Sequence, residues 1–338
     1  MIYLDSAAAT RPLICAVEAM TEVLRSIYAN PNSAHAEGLR AYRIIDAARA
    51  TVAQCLDAYP DEVHFCTSAT EAAALIYKTA VRNGCNVKIQ SMTHDSVYRL
   101  GEHFDAENNK TLCFYSLVNN EVGTITLYGE KDESPVFFAV DATAAVGNFR
   151  FVKFHEMNVS YLFCDAMKFG GIPGCGILLV KRGMPVPRWP HQATPHTALI
   201  AACAVALEEQ TRNLAFVDRY ADMYNAITQY LRKEVDGRCI KHMGADAVNH
   251  IFTIRFAGVE GTALAAMLSE RGVMVSTGAA CNSGSDHPSR ILLSAGLSEQ
   301  EAKETIRISF CSSTLPGEVE EAAKIIAECV KELRSHNQ

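Results

Sequence analysis

The sequence predicts an α/β protein: a large domain on a mostly parallel sheet, followed by a smaller α+β domain. Three observations carry that expectation. Helical and strand-like patterns alternate through the first two-thirds of the chain. Runs such as VFFAV (136–140), VSYLF (159–163) and GILLV (176–180) are apolar throughout, as strands buried on both faces must be. A proline-rich connection, MPVPRWPHQATPH, follows Gly183 and leads into a long helix from about Thr197 to Glu209.

Each element has its own local reason. AVEAMTEVLRSI (16–27) and LRAYRIIDAARATVAQCL (39–56) combine helical periodicity with good helix formers. EVHFC (62–66) reads as a strand, followed by a helix from about Thr70 through AALIYKTAV. NVKIQ (86–90) and TLCFYSL (111–117) are further strands, with a helical segment around SVYRLGEHF between them. The remainder, from about 214, mixes helices with strands such as HIFTIRF and TIRISF. The expected domains are 12–204, large, and 1–11 with 205–338, small.

Composition narrows the function. With 338 residues, 49% of them hydrophobic, the chain can bury a large core. A net charge of −7 without any basic block argues against direct nucleic-acid binding. MIYLDSAAATRP lacks the charged start and apolar core of a signal peptide, and apolar runs such as ALIAACAVAL are too short to span a bilayer. A cytoplasmic protein without membrane attachment is expected. Twelve cysteines are scattered with no C-x-x-C pair and no zinc spacing, so most read as small buried hydrophobes and no metal is expected.

The chemistry gathers where strands run out, because ligands of open α/β sheets bind at the carboxyl ends. TSATEAAA follows EVHFC: small residues enter a helix N-terminus, which suits a phosphate, while Ser68 with Glu71 also fits a capping box. His94 follows VKIQS, and Asn119 and Asn120 follow FYSL at a turn. Asp141 ends FFAV, where a buried carboxylate needs a partner such as a protonated heterocyclic nitrogen. Lys168 follows YLF within CDAMKFGGIPGCG. A phosphate cradle, an aromatic ring, an amide, a carboxylate and a lysine form the set that pyridoxal 5'-phosphate (PLP) requires.

These segments resemble, in order, the cysteine desulfurases of the NifS/IscS type in the fold-type-I PLP superfamily. YLDSAAAT resembles the N-terminal YLD-x-x-A-T-T of that family, ANPNSAH its G-N-P-S-S-x-H and TSATEA its S-G-x-T-E-x-N. THDSV resembles E-H-x-A-V, VNNEVGTI resembles N-N-E-x-G, and VDAT resembles V-D-A-x-Q. The resemblance runs through TIRISF to the C-terminal helix. It implies PLP fold type I with a mostly parallel sheet of the seven-stranded type.

The resemblance also implies roles. Lys168 is the Schiff-base lysine, His94 stacks on the cofactor ring and Asp141 pairs with its nitrogen. Asn120 contacts ring oxygen and substrate, Ala69 and Thr70 hold the phosphate, and Thr194 reaches the phosphate of a neighbouring subunit. Arg307 clamps the substrate carboxylate, which its planar fork suits. VMVSTGAACNSGSDHPSRIL resembles the S-S-G-S-A-C-T-S loop and makes Cys281 the thiol that takes sulfur from L-cysteine as a persulfide, leaving L-alanine. A homodimer and a sulfur-acceptor protein, an iron–sulfur scaffold or a thiolation enzyme, complete the expectation. The alternatives are a non-catalytic homologue acting as scaffold or sulfur carrier, and another PLP reaction such as that of a selenocysteine lyase or an aminotransferase.

The chain departs from that pattern around the phosphate. DAMK stands where the family has S-x-H-K, so Asp165 and Met167 replace two phosphate ligands, and Ala144 replaces a glutamine. A carboxylate about 4 Å from a phosphate oxygen costs roughly 4 kcal/mol per charge pair at an effective dielectric of about 20. Asp165 must therefore turn away, be protonated or meet a cation.

Overall fold

The computed structural model describes the chain except residues 105–108, 127–135, 151, 188–193, 213, 215, 241–245, 278–287 and 337–338. It forms two compact units, one of Met1–Ala9, Val118–Thr126 and Ala215–Gln338, the other of Thr10–Leu117 and Leu127–Leu214. Strand β1 (Ile2–Tyr3) opens the first. The second, larger unit contains α1 (Ile14–Ser26), α2 (Ala36–Leu56), β2 (Val63–Cys66), α3 (Ala69–Arg82), β3 (Asn86–Ile89), α4 (Asp95–Tyr98), β4 (Thr111–Ser116), β5 (Val136–Asp141), β6 (Tyr161–Asp165), β7 (Gly176–Val180) and α5 (Thr197–Arg212).

Its sheet runs β2-β7-β6-β5-β4-β3. Strands β3 to β6 pair in parallel, whereas β7 is antiparallel to both β6 and β2. The Ala166–Cys175 turn is too short for the crossover helix that parallel neighbours need, so the chain doubles back. Strand β2 then runs with β3–β6, and five carboxyl ends share one edge. Six strands are present among the described residues, where the resemblance implies seven. The outer edge of β3 meets one isolated bridge, Val87 with His103, in place of a further strand. Helix α4 has four residues, shorter than SVYRLGEHF suggests, because the chain turns at Gly101 (φ +77°) to make that bridge.

Helix α3 lays Ala72, Ala73, Ile76 and Ala80 into a core with Phe114, Phe163 and Leu178 of the sheet. Its start is fixed reciprocally. Ser68 Oγ accepts from the Glu71 N–H (3.2 Å), and Glu71 Oε2 accepts from the Thr67 N–H (2.7 Å). Among the described residues, no helix is long and apolar enough to cross a membrane.

One buried carboxylate staples β2 to the end of β7. Glu62, 2% exposed, accepts from the N–H groups of Tyr59 (2.9 Å) and Arg182 (3.0 Å) and pairs with His155 Nε2 (2.7 Å). These hydrogen bonds hold its carboxyl below the usual range against the opposing effect of burial. Glu62→Ala leaves two sheltered N–H groups without acceptors. It is expected to lower unfolding stability by about 2–4 kcal/mol in urea titration, with Glu62→Gln intermediate.

His64 on β2 carries a pH dependence. Its Nε2 is sealed from solvent without a partner. Burial, reinforced by Arg49, lowers its proton affinity from the ordinary 6.5, with Asp61 opposing. The folded state thus binds this proton less readily than the unfolded chain. The stability it contributes is complete above 6.5 and is lost as pH falls through the lower folded value. Urea midpoints at about pH 7.5 and about pH 5.5 should therefore differ less in His64→Phe than in the wild type.

The other unit contains α6 (Phe216–Val235), β8 (Arg238–Ile240), β9 (Ile251–Arg255), α7 (Gly261–Glu270), β10 (Val273–Met274), β11 (Ser276–Thr277), α8 (Arg290–Ser294), α9 (Glu299–Lys303), β12 (Thr305–Ser309) and α10 (Pro316–His336). Its antiparallel sheet runs β11-β12-β9-β8, and β1 pairs in parallel with β10. Tyr220, Met223, Ile227 and Leu231 of α6 join Val319, Ala322, Ala323, Ile326 and Val330 of α10 in one core. Both sets recur every three or four residues, so one apolar stripe per helix closes on the sheet.

Candidate functional site

In the larger unit the predicted residues sit on the shared carboxyl edge. Asp141 is the last residue of β5 and is 7% exposed. Its Oδ1 accepts from the Thr143 N–H (2.9 Å), and the buried Thr143 Oγ1 has no partner. His94 caps α4: its Nδ1 accepts from the Ser96 N–H (3.1 Å) and lies 2.8 Å from Ser96 Oγ. Accepting that bond requires Nδ1 to be unprotonated, which places the proton of a neutral ring on Nε2. Ala69 and Thr70 begin α3.

Lys168 ends a single 3-10 turn, Ala166–Lys168, directly after β6. Main-chain contacts hold that turn. Met167 O accepts from the N–H (2.8 Å) and Oγ1 (2.8 Å) of Thr10, and Thr10 Oγ1 accepts from the Gly170 N–H (2.8 Å). Lys168 O accepts from Asn148 Nδ2 (3.2 Å). Gly170 has φ +82°, and a Cβ there would lie 2.6 Å from Leu13 Cγ, so the turn admits only glycine. A Cβ at Gly176 would stand 2.7 Å from the Ser68 carbonyl carbon, and its absence lets β7 pass close to the entrance of α3.

Asp165 is where the structure adds most. The carboxylate is 8% exposed and faces the helix start: Oδ2 accepts from the Ala69 N–H (3.3 Å) and Oδ1 from the Met167 N–H (3.1 Å). Burial raises its pKa, with Asp141 adding to the rise; the two N–H groups and Lys168 oppose it. Of the three ways out foreseen for this carboxylate, the structure shows the nearby cation, Lys168, and adds two backbone donors that were not foreseen. The thiols of Cys66 and Cys164, which interact with it, are both pushed up by burial and by neighbouring negative charge.

The smaller unit holds Asn120 and Arg307. Arg307 on β12 is 4% exposed. Its Nη2 donates to Asp5 Oδ1 (2.7 Å), its Nη1 to Asn120 O (3.1 Å), and its buried Nε has no partner. Asn119 Oδ1 accepts from the N–H groups of Glu121 (2.8 Å) and Val122 (2.9 Å), which shapes the NNE turn. Buried Glu121 accepts from Ser289 Oγ, and Ser289 caps α8 immediately after 278–287. Sequence reasoning passed over Asp5, Glu121 and Ser289. The readable signal for Glu121 was a carboxylate in a short turn between two apolar runs, FYSLV and VGTI, which needs a partner if the turn is buried.

Thr194 is exposed and accepts a 3.5 Å hydrogen bond from Asn30 Nδ2. Cys281 lies outside the described residues. Among the described residues, no disulfide and no cluster able to hold a metal ion occurs.

The chain is 29% identical to an IscS-like cysteine desulfurase of Mycobacterium tuberculosis, covering 99% of this chain and 97% of the relative. It is 25% identical to a cysteine desulfurase of Enterobacter agglomerans, covering 99% and 94%. Among solved structures, a NifS-like protein superposes with a TM-score of 0.87 at 24% identity, over 98% of this chain and 99% of that one. A structure titled SspA in complex with cysteine gives 0.74 at 23%, over 93% and 100%. Those superpositions show a shared mixed α/β fold. The model of the aminotransferase class-V family matches residues 2–99 and 78–321, and this chain belongs to that family.

Proposed function

We propose that this chain is a PLP-dependent cysteine desulfurase that converts L-cysteine to L-alanine and carries the sulfur as a persulfide on Cys281. The observation that carries the reading is the placement of Asp141, Asp165, Lys168 and the α3 start on one sheet edge, in a class-V chain whose relatives are cysteine desulfurases.

The residues present fit PLP, the cofactor of this family, at its ring end. Asp141 is a buried carboxylate with one hydrogen bond and capacity to spare, beside an orphaned hydroxyl on Thr143. Asp141 would face the ring nitrogen, His94 the ring and Lys168 the aldehyde carbon, with Ala69, Thr70 and Thr194 assigned to the phosphate. PLP, when bound, supplies the electron sink that weakens the substrate C–S bond.

This chain's own groups do the rest. Asp141 keeps a negative charge buried where a ring proton must be held. The Lys168 amine would move protons between substrate carbons and solvent. Arg307, already bonded to the Asp5 carboxylate, binds the carboxylate of L-cysteine, with Asn120 beside it. The Cys281 thiolate attacks the substrate sulfur. The S–C bond breaks, a new S–S bond forms, and the substrate carbon takes a proton.

Large apolar side chains on α1 and α2 support a homodimer: Ile14 is 77% exposed, Leu24 54% and Tyr42 53%. The persulfide then goes to an acceptor protein, an iron–sulfur scaffold or a thiolation enzyme, in the cytoplasm. The test is a visible spectrum of purified protein before and after L-cysteine, with alanine assayed. A spectral change with stoichiometric alanine is expected; no alanine would sink the proposal.

A further inference from the structure

The family's cofactor brings a phosphate, and the α3 start assigned to it is already met by a carboxylate. We propose that Asp165 is a built-in competitor for the cofactor phosphate, so that loading PLP requires its carboxylate to take a proton or leave the Ala69 N–H. The inference rests on the PLP reading above.

The geometry is specific. Asp165 sits at the end of β6, fixed through Met167 N–H on one oxygen, and its other oxygen takes the first N–H of a helix of 14 residues. A phosphate at that N–H would face a buried anion that is 8% exposed and poorly screened. The charged and titratable groups around it are Lys168 on its own turn, Asp141 on β5, Cys66 on β2 and Cys164 on β6. Both thiols stay neutral because burial pushes them upward. Lys168 partly offsets the Asp165 charge. Protonated Asp165 turns from competitor to ligand, since its O–H donates to a phosphate oxygen. Loading therefore takes up one proton from solvent and tightens as pH falls. Asn at this position keeps an acceptor for one of the two N–H groups and adds a donor without charge.

The experiment measures equilibrium binding of PLP and of pyridoxal, which lacks the phosphate, to cofactor-stripped full-length protein. Wild type, Asp165→Asn and Asp165→Ser are titrated at about pH 8 and about pH 6. Both variants are expected to bind PLP about tenfold more tightly than wild type at the higher pH, with the gap narrowing at the lower one. Pyridoxal should not distinguish the three proteins. If a variant does not fold, the wild type still serves, because its preference for PLP over pyridoxal must rise towards the lower pH. Equal PLP affinities at both pH values, or weaker binding by the variants, overturn the proposal. If pyridoxal binds and PLP gains nothing from its phosphate in any of the proteins, the cradle assignment fails too. If neither compound binds any of them, the PLP reading itself falls.

Discussion

Lys168→Ala is expected to lower L-cysteine-dependent alanine formation by about 10³-fold, within the range for losing a proton-transferring group. The variant should stay folded. The contacts that fix its turn run through Met167 O, Lys168 O and the Gly170 N–H, none of which the substitution removes. Far-ultraviolet circular dichroism and the urea midpoint check that point, and alanine assay reads the activity. Lys168→Arg keeps the charge near Asp165 but cannot bond an aldehyde carbon at neutral pH, so it should be equally inactive while opposing the Asp165 charge as the wild type does. If either variant retained more than about a tenth of the wild-type rate, Lys168 would not be the reacting amine.

Cys281→Ser is expected to abolish persulfide on the protein and to cut alanine release by about a hundredfold or more. Serine oxygen cannot accept sulfur from the substrate under these conditions, whereas binding of PLP should be unchanged. Mass spectrometry of wild-type protein after one turnover should find one extra sulfur atom on the peptide containing Cys281 and none on the variant. The buried cysteines give the control. Cys66, Cys164 and Cys203 are pushed far towards the neutral thiol by burial and neighbouring thiols, and neutral thiols are poor nucleophiles. Persulfide on any of those three would overturn the assignment. The same measurement separates a desulfurase from an aminotransferase, which leaves no sulfur on the protein.

Much of the larger unit was legible because its strands end abruptly. YLFCD and FFAVD pass from fully apolar to charged in one step, and a buried strand can place a carboxylate only at its end. The parallel order of β3–β6 followed from the long connections between them, one of which carries α4. The reversal at β7 did not, because GILLV reads alike in either direction; the shortness of the Ala166–Cys175 turn was the clue. Helix α4 was over-extended because periodicity around SVYRL says nothing of a bridge formed back to the preceding strand. Asp165 shows the limit most clearly. Charge alone announced a conflict, but which backbone donors would meet it depended on the approach of β6 to α3, a tertiary fact. The pairing of Asp5 with Arg307 is hidden for the same reason, since 302 residues separate the partners.

The lysine turn is fastened by main-chain oxygen and nitrogen atoms, by Thr10 and Asn148, and by a glycine packed on Leu13. None of these attachments uses the side chain at 165 or 167. The position of the amine thereby depends on residue 165 only through the cap that its carboxylate gives the Met167 N–H. A lineage that keeps a capping side chain at 165 can exchange the residues that greet the phosphate, retuning how firmly the prosthetic group is kept, without moving the reacting nitrogen. The scaffold makes retention of the cofactor and the chemistry done with it separately evolvable traits.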